Sequence, residues 1–131
     1  MSYEESLRSV SFDADASIGI YTGPPGLPGS PSPHGAKQYH FVKVTGANQV
    51  GLAGATDRVI GVLQNKPQQA GAAATVGIRG ISNVVAGEAI DAGEEVGPNA
   101  SGAAAVAAAG DGIGIALQDA ASGSLVPVLL V

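Results

Sequence analysis

The sequence predicts an all-β protein, a small Gly/Ala-rich β-barrel or β-sandwich that follows an extended Pro/Gly-rich N-terminal arm. Three observations lead there. A strand-turn unit ending in Leu-Gln occurs twice, at Leu63-Gln64 and Leu117-Gln118. Twenty glycines break the apolar runs into pieces of strand length. Five of the eight prolines fall within residues 24–33, where they neither donate to a sheet ladder nor extend a helix.

The arm covers residues 1–35. Its first part, Met1 to Ile20, is polar with isolated apolar residues, and it runs into Gly23-Pro24-Pro25-Gly26-Leu27-Pro28-Gly29-Ser30-Pro31-Ser32-Pro33. Gly23, Gly26 and Gly29 have the collagen spacing, but so few triplets cannot hold a triple helix. The body covers residues 36–131. Gln38 to Thr45 is β-rich and makes the first strand, Gly46-Ala47-Asn48 a turn, and Gln49 to Leu52 a second strand.

The strongest internal signal comes next. Asp57 to Asn65 matches Asp111 to Asp119 without gaps, each copy crossing a Gly-interrupted strand and ending on Leu-Gln. Each then passes a loop of small residues containing Gly71 or Gly123 and enters a further strand, Ala74 to Ile78 or Leu125 to Leu129. Two such units imply a pseudo-symmetric β-fold, since a solenoid needs at least about three repeats. Between them, Asp91-Ala92-Gly93 reads as a turn. Ala100 to Ala109 reads as strand and turn, because Gly102 and Gly110 bracket it and no charged face supports a helix.

Composition narrows the function. With 131 residues there is room for one domain and an appendage. Hydrophobic types reach 45%, yet there is no Trp and there are only two Phe and three Tyr, so the core is thin and gains from oligomerisation. Net charge is −5, with basic residues scattered as Arg8, Lys37, Lys43, Arg58, Lys66 and Arg79, which argues against a nucleic-acid partner. The absence of cysteine excludes disulfides, a thiolate nucleophile and Cys-based zinc. Glu4 and Glu5 do not suit a secretory signal, and no apolar stretch approaches the ~20 residues of a membrane span. Synthesis in the cytoplasm and no membrane partner are expected.

Candidate chemistry is sparse. Glu88, Asp91, Glu94 and Glu95 form an acidic cluster, but in the most turn-like segment, where carboxylates stay solvated rather than tuned for acid-base work. Asp13, Asp15 and Ser17 have alternate-position oxygens without the glycine and distal glutamate of a calcium loop. His34 and His40 have no Cys partner for a metal site. There is no Gly-x-Ser-x-Gly elbow and no dinucleotide fingerprint around Gly110 to Gly114. No catalytic residue, metal or cofactor is expected, and the chain is read as a non-enzyme.

Three stretches in the C-terminal third, Ala89 to Val96, Gly112 to Gly123 and Val126 to Leu130, resemble the capsid decoration (cement) proteins of tailed bacteriophages of the DUF2190 type. The shared order is Gly-Glu-x-Val at Gly93 to Val96, then Ala-Leu-x-Asp-Ala-Ala-x-Gly at Ala116 to Gly123, then a closing apolar strand. The resemblance spans roughly residues 38–131 and omits the arm. It implies a β-body on the outer surface of the phage head, made in the host cytoplasm, with the major capsid protein as partner and homotrimers as the assembly. On that reading the arm's apolar residues Val10, Phe12, Ile18, Ile20 and Tyr21 are the anchors on a neighbouring subunit. Two alternatives stand beside it. A carbohydrate-binding β-module of a virion surface or fibre would present Tyr21 and Tyr39, and a head-completion or tail structural protein would be present in far fewer copies per particle than a decoration protein.

Overall fold

The computed structural model describes residues 7–19, 37–65, 71–108, 110 and 112–130. Among these it is all-β apart from one turn of helix, α1 (Ala16–Gly19). The strands are β1 (Arg8–Ala14), β2 (Phe41–Gly46), β3 (Gln49–Leu52), β4 (Gly61–Leu63), β5 (Ala73–Val85), β6 (Glu95–Pro98), β7 (Ala104–Val106), β8 (Gly114–Ala116) and β9 (Leu125–Leu130).

These strands form two five-stranded barrels that share β5. In barrel 1 the order is β1-β3-β2-β4-β5, and β1 returns to β5 to close it. The closing strand runs antiparallel to the first half of β5, from Ser9↔Gly77 to Asp13↔Ala73, and parallel to β3 through Asp13↔Gln49 and Ala14↔Val50. Barrel 2 continues from the second half of β5 through β9, β8, β6 and β7. A parallel bridge, Ala86↔Ala104, brings β7 back to the end of β5. The β1–β5 pairing closes barrel 1 fully and leaves it no long unpaired strand edge, which suits a chain of short strands.

The expected pseudo-symmetry is therefore present, and it is detailed. Ile60 N donates to Val42 O as Ile113 N donates to Val96 O, both at 2.9 Å. Tyr39 N to Leu63 O is matched by Gly93 N to Ala116 O, both at 2.7 Å. Gly71 N to Ala14 O at 2.8 Å is matched by Gly123 N to Ala86 O at 2.7 Å. Even the left-handed turn positions coincide, Tyr39 (φ 65) with Gly93 (φ 89) and Asn48 (φ 54) with Gly102 (φ 80). The second half of β5 thus plays in barrel 2 the part that β1 plays in barrel 1.

The register of the repeat differs from the gapless sequence match by one residue. Gly61 pairs with Val42 and Gly114 with Val96, so Gly61 and Gly114 are equivalent, and Leu63 corresponds to Ala116 rather than to Leu117. Steric fit decides this. A Cβ at Gly61 would run into the Gly77 carbonyl oxygen, and one at Gly114 into Val128 Cγ1. The two Leu-Gln pairs consequently occupy different places: Leu63 is fully buried inside barrel 1, whereas Leu117 is only half-buried.

Each barrel is filled by equivalent inward residues. Barrel 1 holds Val42, Val50, Leu63, Ala74, Val76, Ala14 and Ile18. The matching set in barrel 2 is Val96, Ala104, Ala116, Val126, Val128, Ala86 and Ile90. Sizes differ at equivalent positions: Leu63 and Ala74 in barrel 1 correspond to Ala116 and Val126 in barrel 2.

Two sequence expectations need correction. Residues 8–14, assigned to an extended arm, form the strand that closes barrel 1. Val10, Phe12 and Ala14 alternate with Ser9, Ser11 and Asp13, the period-2 pattern of a half-buried strand. The strand expected from Gln38 begins at Phe41, because Tyr39 takes a left-handed conformation and breaks the extended run. By contrast, Gln49 to Leu52 is a strand with the expected bounds. The Pro/Gly stretch at residues 23–33 lies outside the described residues.

Candidate interaction surfaces

The two barrels meet at a seam built by Tyr39 and Phe41. Val85 N, on β5, donates to Tyr39 O at 2.9 Å, and Phe41 N donates to Gly102 O at 2.8 Å. The segment from Tyr39 to Phe41 therefore lies between β5 and the β6–β7 turn of barrel 2. In barrel 1 the equivalent seam needs no insert, since Asp13 N donates directly to Asn48 O at 2.8 Å. Phe41, Val62 and Ala53 point outward from barrel 1 and are buried in one cluster with the interior of barrel 2.

Polar groups at this junction hold the frame. Gln64 Nε2 donates to Ser82 Oγ at 2.8 Å and to Val62 O at 3.0 Å, which ties β4 to the second half of β5. Gln38 Nε2 donates to Gln64 O at 2.9 Å. His40 is buried, with Nδ1 at 3.1 Å from Gln38 O. Burial holds its imidazole below the ordinary histidine value, the hydrogen bond to Gln38 opposing this only in part. Its surroundings are those of a structural histidine.

The carboxylates serve turns in the same way. Burial of Asp15 works to raise its pKa, but hydrogen bonds from the Ser17 hydroxyl (2.6 Å) and amide (2.8 Å), helped by Thr45 and Lys43, outweigh it and leave the group lowered. Ser17 Oγ in turn accepts from Leu52 N at 2.8 Å, fixing α1 against β3. Asp57 is lowered by Lys43 Nζ at 2.7 Å and by the Gly54 amide at 2.7 Å. Within the acidic cluster, Glu94 Oε1 accepts from Asp91 N, Glu88 Oε2 from Val106 N, and Glu95 from Gly110 N and Gly112 N. Among the described residues no three His, Cys, Asp or Glu side chains converge on a metal position. Nor is any helix among them long and apolar enough to cross a membrane.

The anchors expected in the arm fall into different settings. Ile18 is fully buried inside barrel 1, and Phe12 packs against the same cluster, so both are occupied by their own barrel. Val10 shares the side of β1 that carries Phe12 and Ala14 and pairs with the buried Val76, but towards the start of the strand it is 43% exposed. Ile20 and Tyr21 lie outside the described residues. Sequence reading missed the outward face of barrel 2. There Ile81, Leu129, Ile115 and Glu95 are successive cross-strand partners over β5, β9, β8 and β6. The signal was present in the alternation along β9, where Leu125, Pro127 and Leu129 interleave with the buried Val126, Val128 and Leu130.

Comparison with known proteins gives a likeness of fold. No protein-family model matches the chain, so the resemblance to DUF2190 decoration proteins rests on the residues alone. No curated protein is similar to it in sequence. Among solved structures, the chain is similar to the N base of the head fiber protein gp8.5 of bacteriophage phi29. The match has a TM-score of 0.65, 18% identity and 95% coverage of both chains. The likeness is one of fold and takes in both barrels.

Proposed function

We propose that this protein is a structural component of a tailed-phage head, a decoration (cement) protein that binds the outer surface of the assembled shell and stabilises contacts between major capsid protein subunits. The fold likeness to a phage head fiber base over nearly the whole chain carries the reading. The motifs of the C-terminal third agree with it. A protein in this role needs no catalysis. It stabilises a lattice by binding only its assembled form, which links binding to shell stability. The partner is the major capsid protein, the chain acts as a homotrimer, and it resides on the virion surface.

The test is to add the purified full chain to heads that lack it and count bound copies by cryo-electron microscopy. Decoration predicts saturable binding at many symmetry-related positions and heads that resist heating better when occupied. Copies confined to a single vertex would replace this role with head completion. No binding to heads would overturn it.

A further inference from the structure

We propose that copies of this chain join head-to-tail through the outer face of barrel 2, the Arg79 side of one copy against the Glu95 side of the next. This rests on the reading of the protein as an oligomer and names its contact faces.

The first argument is an internal precedent. The row Ser9, Gly77, Val62 and Phe41 on barrel 1 is equivalent, pair by pair, to Ile81, Leu129, Ile115 and Glu95 on barrel 2. In barrel 1 this row is a packing surface: Val62 and Phe41 have no exposure, because barrel 2 covers them. In barrel 2 no barrel covers it: Ile115 is 36% exposed, and Ile81, Leu129 and Glu95 are half-buried. Beside it, Gly97, Pro98, Ala105 and Ala107 wall an uncharged groove of about 230 Å³, and Val106 at its edge is 40% exposed. A face that already packs against a barrel within one chain thus recurs uncovered.

The second argument is charge. All six basic residues lie at or before Arg79, while Glu88, Asp91, Glu94, Glu95, Asp111 and Asp119 follow it. Arg79 precedes Ile81 on β5, separated from it by the positive-φ Gly80, and pairs directly with Arg8; both arginines are exposed. Like charges so placed repel and gain from an external anion. Among the described residues the salt bridge is Lys43–Asp57, so neither arginine is neutralised by a carboxylate there. At the other end Glu95 stands where barrel 1 has Phe41, with Glu94 and Asp91 in the adjoining turn.

The row runs over four of the five strands, so its two ends look out on different sides of barrel 2. A two-fold contact through either end would set like charges together. A contact of one end with the other pairs opposite charges and brings apolar residues together, which is the heterologous geometry that closes into rings. A basic surface on another protein would offer similar chemistry, and the experiment separates the two.

The test is native mass spectrometry and sedimentation velocity on the full chain, 12.7 kDa per copy. Wild type is expected as multiples of that mass that dissociate as salt rises. Arg79→Glu and Ile115→Lys, each verified as folded by circular dichroism, should be monomers. Each variant retains one intact side, so an equimolar mixture should give heterodimers and nothing larger. A wild-type monomer at all concentrations, or oligomers indifferent to both substitutions, would overturn the contact. So would a mixture that stays monomeric. A monomer that still decorates heads would sink this contact and leave the proposed function standing. An oligomer that ignores heads would do the reverse.

Discussion

His40 shows how one buried side chain makes the fold sensitive to pH. Its imidazole is held below the ordinary value of 6.5 by burial. The unfolded chain therefore takes up a proton near that value while the folded chain resists it, and stability falls as pH drops below about 6.5. The loss continues until the folded imidazole itself protonates. Urea denaturation at about pH 7.5 and about pH 5.5 should give a lower midpoint at the acidic value, and His40→Gln should shrink the difference. Asp15 and Asp57, both lowered, contribute stability that is lost only as pH falls through their own depressed values, a separate and more acidic step. His40 was readable as a strand-side residue from its apolar neighbours. A half-buried setting was readable too, but its near-complete burial beside a left-handed Tyr39 was not, since sequence would assign that conformation to Gly93 and not to a tyrosine.

At the scale of elements, β1 carries the largest difference between expectation and structure. The alternation Ser9-Val10-Ser11-Phe12-Asp13-Ala14 was available in the sequence. Reading it as a strand required knowing that a barrel lacked its closing member, and that information is non-local. The repeated unit at Asp57 and Asp111 was legible as a motif, whereas its register was set by backbone contacts at Gly61 and Gly114 that no pattern displays. Deleting residues 1–14 should therefore do more than remove an anchor. It strips Phe12 and Ala14 from barrel 1 and exposes the edges of β3 and β5, so the cost exceeds the ~2–5 kcal/mol of one large-to-small core change and soluble yield should collapse. Excising residues 21–33 leaves every described strand in place and should preserve the urea midpoint. Comparing the two deletions by denaturation separates the closing strand from the linker that follows it.

The molecule as a whole has two interiors but one framework. Barrel 2 covers Phe41 and Val62 of barrel 1, Gln64 is bonded to Ser82, and β5 belongs to both barrels. Urea unfolding followed by tyrosine fluorescence and by far-ultraviolet circular dichroism should accordingly give one coincident transition. Two separated transitions would show that the barrels fold independently. The sequence duplication pointed toward symmetry, yet composition gave no sign that the halves share a strand, since β5 reads locally as two runs joined at Gly80. That sharing has a mechanical consequence. The 13 residues of β5 have a contour length of about 43 Å at ~3.3 Å per residue, so tension applied to one barrel reaches the other along continuous covalent backbone, with no linker to stretch first. Under load, such a protein would behave as a stiff rivet rather than as two beads on a tether.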